Sequence, residues 1–470
     1  VKPGAIAFWA GTAAIIYGVA VHLISFFRMA GMDYRMAGMP LDGAMVFAML
    51  AIVAGLVSAA IGLTRWAAPR GGPPAGLSTS RAMLFVVLTC ALVIDVMKPA
   101  TLAFVAPGMM AEYHVSKQAI ALLPLVALTG TVIGSVLWGM LGDRIGRRGA
   151  MVFAALMFMG TSICGTMPSF GWNLAMCFIM GTSAGGMLPV AFTILAECLP
   201  DRGRRFYLVL LGGLGSVGGY VAASGLAYLF EPQFGWRVLW LAGLPTGLLL
   251  VALSRFVPEP PSFVVMRATP APSAQAPAAL SPVAVWLNVC AFAWSTANFG
   301  FIFWLPANFR ELGLGVALTD GLLLKSAVLS LVTTPVVALI HQRLQPRVTL
   351  CALAGLQGAV LLAFAAFGSR PHAFGPFALT VLIAMLLMAT NGLICVLLPF
   401  ATETFPARFR ASGTGMVAGS SKIGGLLPLL VAKLGFVPTL AVSGLFSGAL
   451  VLVSAGGLLL AIFAKHTSPR

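Results

Sequence analysis

The chain has 470 residues, 60% of them hydrophobic and 9% charged, and a net charge of +16. Soluble domains carry about a quarter charged residues, so this chain cannot cover a water-facing surface and must turn most of it to lipid. Its positive charge is spread over short loops and not gathered on one helix or sheet, which argues against nucleic-acid binding.

Lipid offers no partners to backbone N–H and C=O groups, so only helices and closed barrels cross it. Apolar runs of about 20 residues select helices. Two spans come first, near 4–26 and 43–64. The first is too long for a signal-peptide core and reads as a retained helix. The pair carries His22, read as buried or interfacial and not catalytic, and a loop with a small repeat, Arg28-Met-Ala-Gly-Met32 then Arg35-Met-Ala-Gly-Met39. Those methionines are expected to pack or rest at the membrane surface, not to hold a metal. The polar, Pro/Gly/Ser-rich stretch from Arg65 to Arg81 closes this extension, residues 1–81.

A first six-helix bundle, 82–258, follows, with spans near 83–106, 118–140, 149–168, 173–196, 206–229 and 236–256. A central loop, 259–282, contains Pro258's neighbours Pro260 and Pro261 and an Ala/Pro-rich run. The second bundle, 283–470, has spans near 284–306, 320–341, 349–368, 374–400, 411–432 and 436–464. The total is fourteen. None of the seven cysteines forms a Cys-x-x-Cys pair, and neither a disulfide framework, a metal site nor a cofactor site is indicated.

Lys and Arg mark the cytoplasmic side of a membrane protein. Placing both termini and every second loop on one side gives that side 18 of the 28 cations. The opposite side keeps Arg28, Arg35, Lys117, Arg237, Arg310, Arg370 and Lys433, and Lys98, Lys325 and Lys422 fall within spans. Both termini are therefore expected in the cytoplasm, with the protein in a bacterial inner membrane.

The two bundles repeat. Ala196-Glu-Cys-Leu-Pro-Asp-Arg-Gly-Arg204 aligns with Thr402-Glu-Thr-Phe-Pro-Ala-Arg-Phe-Arg410 at an offset of 206, which also carries Gly213 onto Gly419. Duplicated halves put a substrate pathway at their interface and let them rock about it. That points to a transporter, not an enzyme, and no catalytic constellation stands out.

Between core helices 2 and 3 runs Gly139-Met-Leu-Gly-Asp143-Arg144-Ile-Gly146-Arg147-Arg148. With this motif the chain, over roughly 83–465, resembles the major facilitator superfamily. The resemblance implies an all-α membrane protein of two six-helix pseudo-repeat bundles, here with two extra N-terminal helices. It implies a cytoplasmic latch formed by Gly139, Asp143, Arg144, Gly146, Arg147 and Arg148 together with Glu197, Arg204, Glu403 and Arg410. The Glu-x-x-Pro-x-x-x-Arg pairs are similar to those of the sugar-porter and metabolite–proton symporter branch. The paired glutamines of the sugar-porter seventh helix are absent, which argues against a sugar, and the fifth helix lacks the Gly-Pro step of drug antiporters.

An ionisable group inside a span costs about 2.5–3.5 kcal/mol on insertion scales and so needs a purpose. Asp95 lies about twelve residues into core helix 1, near mid-membrane, with Lys98 three residues on and Pro99 removing the backbone bond to the Asp95 carbonyl. These opposed charges are assigned to proton coupling. Lys422 sits at similar depth in core helix 11. With Asn298 and Trp304 of core helix 7 and Asn391 of core helix 10, it forms the expected substrate set. Two lysines against one acid favour an anionic cargo. The expected activity is proton-coupled symport of an organic anion or other small metabolite by alternating access, with proton-coupled drug or metabolite efflux as the alternative. Its partners are the bilayer, the cargo and protons.

Overall fold

The computed structural model describes residues 3–66, 80–184, 187, 191–192, 194–195, 199, 204–258, 281–367, 375–404, 410–436 and 439–467. Side chains of 66, 135–136, 139–145, 147, 205, 367, 402–403, 410–415 and 464–467 lie outside that description. The described chain is helical. Among the described residues, twelve helical segments are long and apolar enough to cross a membrane, including both of the N-terminal pair. The other two expected spans correspond to helices Phe170–Ala184, beyond which core helix 4 falls largely outside the described residues, and Arg410–Lys433.

The main helices are α1 (Pro3–Arg28), α2 (Gly43–Trp66), α3 (Arg81–Tyr113), α4 (Leu122–Ile145), α5 (Arg147–Gly160), α6 (Phe170–Ala184), α7 (Arg204–Phe234) and α8 (Gly243–Leu253). They continue with α9 (Pro282–Gly300), α10 (Leu305–Glu311), α11 (Val316–Arg343), α12 (Pro346–Phe367), α13 (Pro376–Thr404), α14 (Arg410–Lys433) and α15 (Leu440–Thr467).

Local chemistry sets several ends. Ser80 caps α3 by accepting a hydrogen bond from the Met83 N–H at 3.1 Å, and His114 ends the helix in a left-handed conformation, φ 52°. Ser281 caps α9 in the same way, with Pro282 in the first turn, where no N–H is needed. Gly146 opens α5 at φ 87°, a conformation that a side chain would strain, which explains a glycine at that position of the loop motif.

Two compact units divide the chain. The first comprises Val1–Ser116, Val126–Arg204 and Gly225–Ala271; the second comprises Lys117–Leu125, Arg205–Ser224 and Pro272–Arg470. The N-terminal helix pair, α1 and α2, belongs to the first. Its helices cross tightly: a Cβ on Gly11 would lie 2.5 Å from the Gly55 carbonyl oxygen, and one on Gly62 2.5 Å from the Phe8 nitrogen. Such small-residue seams let membrane helices associate where no hydrophobic force between them exists.

The pair then packs on core helix 3. Phe8, Ile15, Val19 and Ile52 share one buried cluster with Val152, Leu156, Met159 and Ile163. His22 is buried, as expected, with Nδ1 2.8 Å from Thr166 Oγ1. Of the repeat's methionines, Met36 joins Met45, Phe26 and Leu241 in a second buried cluster, Met29 and Met39 pack against it, and Met32 is exposed.

Candidate substrate and coupling site

In the first unit the site starts from α3, which runs unbroken through Pro99 and Pro107 for 33 residues. Both Asp95 and Lys98 are buried, at 5% and 2% exposure. The expected opposition of the two charges is not formed: among the described residues no ion pair joins them. Lys98 Nζ instead donates to the Phe158 carbonyl at 2.9 Å and lies 3.4 Å from Thr161 Oγ1, with the Phe158 ring centroid at 5.7 Å.

The physical reason lies in α5. This helix ends at Gly160 and passes into a tighter turn, Thr161–Thr166, so its last carbonyls need donors from elsewhere. An ammonium at a helix C-terminus meets that need and the negative end of the helix dipole together. Gly243 of α8 makes the room. A Cβ there would come within 2.3 Å of both Lys98 Nζ and Ser162 Oγ. Asp95 keeps Oδ1 buried without a hydrogen-bond partner among the described residues.

In the second unit the expected core helix 7 ends later than read and is broken. α9 stops at Gly300, Phe301 leaves helical geometry at φ −124°, ψ −63°, and a turn through Trp304 leads into α10. Discontinuous helices of this kind free backbone groups and are used by transporters at binding sites.

α9 is clamped to two neighbours. Trp294 Nε1 donates to the Thr390 carbonyl of α13 at 2.7 Å, next to Asn391. Thr296 Oγ1 donates to the Gly424 carbonyl of α14 at 3.0 Å, two residues beyond Lys422, and Ser420 Oγ donates to Asn288 Oδ1 at 2.7 Å. Gly424 has no space for a side chain, since a Cβ would lie 2.2 Å from the Phe292 carbonyl oxygen. The helices bearing Asn298, Asn391 and Lys422 are thus locked together around α9.

Asn298, Asn391 and Lys422 are all half-buried. Asn391 spends its N–H on the Leu387 carbonyl at 2.8 Å, leaving its oxygen as the available group. Trp304 is fully buried. Lys325, by contrast, is exposed.

Of the latch residues, the side chains of Gly139, Asp143, Arg144, Arg147, Glu197, Glu403 and Arg410 lie outside the described residues. Arg204 donates to the Leu199 carbonyl at 3.0 Å.

Three acid–base pairs escaped the sequence reading: Arg237–Glu112 at 2.8 Å, Lys117–Glu311 at 2.7 Å and Arg310–Asp320 at 3.1 Å. Asp320 stands only five residues into α11 yet is fully buried. A signal existed. Lys117, Arg237 and Arg310 are cations that the sequence reading puts on the cation-poor side, where topology does not call for them.

The chain matches the family profile of the Major Facilitator Superfamily over residues 88–429. The chain belongs to that superfamily. Among its relatives are a niacin transporter of Acinetobacter baylyi, 25% identical over 72% of this chain and 84% of that protein, and a gallate transporter of Pseudomonas putida, 25% identical over 74% of this chain and 84% of that protein. The crystal structure of a D-xylose–proton symporter superposes with a TM-score of 0.63 at 16% identity, covering 83% of this chain and 98% of that one. At that identity the likeness concerns the fold, and α1 and α2 precede the region the family profile matches.

Proposed function

We propose that this superfamily member is a proton-coupled symporter of a small aromatic carboxylate. In this reading it makes fourteen crossings of a bacterial inner membrane with both termini in the cytoplasm. Residues 1–81 form an added helix pair, 82–258 and 283–470 the two bundles, and 259–282 the loop joining them. The single observation carrying the coupling role is Asp95, an acid in the interior of α3 with one oxygen uncommitted. Lys98, the neighbouring cation, is engaged by the end of α5. An acid so placed can hold a proton and release it when the bundle rearranges. Lys98 then acts as a fixed support of the coupling helix and not as a sliding counter-charge.

The cargo class draws on the chemistry of the second unit. Lys422 supplies a cation, Asn298 and Asn391 supply amides, and the clamped α9 presents flat aromatic faces. Niacin and gallate, named for two relatives, are both aromatic rings bearing a carboxylate.

Uptake into proteoliposomes tests the proposal, with labelled nicotinate and gallate as probes. An acidic exterior should drive accumulation, and a protonophore should abolish it. Accumulation that rises when the gradient is collapsed would instead identify an exporter.

A further inference from the structure

The second unit holds a cluster that the family motifs do not account for and that the substrate set touches only at Trp304. Lys117 opens the turn Lys117–Ile120, and its ammonium donates to Glu311 Oε2 at 2.7 Å and Asn308 Oδ1 at 2.8 Å. The same ammonium lies 5.6 Å from the centroid of the Trp304 ring. Trp304 and Asn308 stand four residues apart just beyond the break after α9, which sets them side by side. Trp304 is fully buried and Asn308 is 4% exposed, yet Trp304 Nε1 and Asn308 Nδ2 have no acceptor among the described residues.

The imbalance is one of donors. An ammonium, an indole N–H and an amide N–H share one region, and the acid serving it, Glu311, sits at the wet margin with its side chain 53% exposed. Glu311 satisfies the ammonium alone. The nearby Arg310 is already paired with Asp320. A buried donor left without an acceptor is unfavourable, so this cluster is built for a better-placed acceptor than Glu311. A carboxylate attached to a flat ring matches it: one oxygen on Lys117, the other on the amide or indole N–H, and the ring against Trp304.

We propose that Lys117, Trp304 and Asn308 form a second carboxylate subsite, in which the Glu311 carboxylate occupies the place taken by that of the cargo. This deepens the cargo reading above and rests on it. Lys117 is on the side that the cation asymmetry assigns to the exterior, so the subsite is met before the set around Lys422. Glu311 acts as a resident competitor that closes the subsite when cargo is absent. It also sets a preference for acids over neutral amides of the same shape.

The test is the KM and kcat for nicotinate uptake into proteoliposomes by the full chain and by Lys117→Gln, Lys117→Arg and Glu311→Gln. Removing the competitor in Glu311→Gln should lower KM about threefold or more, while Lys117→Gln raises it about tenfold, kcat changing less than KM. Lys117→Arg should restore most of the affinity. A pair that merely holds two helices together would shift KM in the same direction in both Gln variants, and that result overturns the subsite. Should Lys117→Gln fail to fold, as judged by its thermal midpoint in detergent, the fall or absence of a fall in KM for Glu311→Gln decides alone. If the unaltered chain accumulates neither nicotinate nor gallate, the cargo reading itself is overturned and the subsite goes with it. If it accumulates them but the variants behave alike, the subsite alone is lost.

Discussion

Arg237, 1% exposed, donates to both oxygens of Glu112: Nη2 to Oε1 at 2.8 Å and Nε to Oε2 at 3.1 Å. The remaining donors of Arg237 reach the Gly165 and Met167 carbonyls and the Tyr113 hydroxyl. Glu112 in turn accepts from Trp236 Nε1 and from the backbone N–H groups of Met36 and Ala37. One pair therefore ties the loop between α1 and α2, the end of α3, the turn before α6 and the turn before α8 into a single network.

Removing either member leaves the other charge buried without compensation, which costs about 3–5 kcal/mol. Arg237→Ala and Glu112→Ala should each lower the thermal midpoint of the purified protein sharply. The double variant should be far less damaged than the sum of the two. Additive losses would show that the pair is not the centre of the network.

Gly243→Ala places a methyl group where Lys98 Nζ and Ser162 Oγ now lie. The crowding costs about 1–3 kcal/mol, and it forces the ammonium off the end of α5. Gly243→Ala should therefore lower the melting temperature, and Lys98→Ala in the same chain should recover part of the loss. Melting curves of the two single variants and the double variant check this.

The seam between α1 and α2 has backbone within reach of a Cβ on either side, so Gly11→Leu or Gly55→Leu cannot be absorbed by a side-chain rotation. Each should splay the pair and detach it from Val152, Leu156 and Met159 of α5. Faster proteolysis between α1 and α2, with the bundles still resistant, is the expected result. Unchanged proteolysis would mean that the pair is held by other contacts.

Asp95→Asn keeps the shape of the side chain and removes its titration. Exchange of labelled for unlabelled nicotinate across the membrane needs no net proton movement and should survive in this variant. Uphill accumulation driven by an acidic exterior should be lost. If accumulation survives with the same dependence on external pH, Asp95 is not the proton carrier.

Lys422→Gln removes the cation expected to meet the cargo carboxylate while keeping a polar side chain of similar length. KM for nicotinate should rise about tenfold or more with kcat less affected, as for a group that binds cargo and does not drive transport. Equal uptake by this variant would remove Lys422 from the substrate set.

Much of the fold was legible because its causes are local. Run length separates helices from strands in lipid, and Ser80, Ser281 and Gly146 mark ends where the chain itself supplies the cap or the turn. The site was legible only in part. Asp95 and Lys98 were found because charges inside apolar runs stand out, yet their mutual pairing was inferred from spacing alone. Helical spacing puts two residues on one face without saying what that face meets. Lys98 meets Phe158, 60 positions away, because α5 ends beside it and Gly243 clears the space. Lys117 entered the sequence reading only as one of the cations on the cation-poor side, because its partners, Asn308 and Glu311, lie more than 190 positions on.

The sequence by itself determined that this chain is a bundle of membrane helices, since hydropathy and the loop motif are properties of order along the chain. Only the tertiary structure decided which charge answers which. Partners such as Arg237 and Glu112, or Lys117 and Glu311, depend on how closely and in what register helices pack. That is set by small residues at crossings and by breaks such as the one at Phe301, whose effect on distant side chains exists only once the chain is folded.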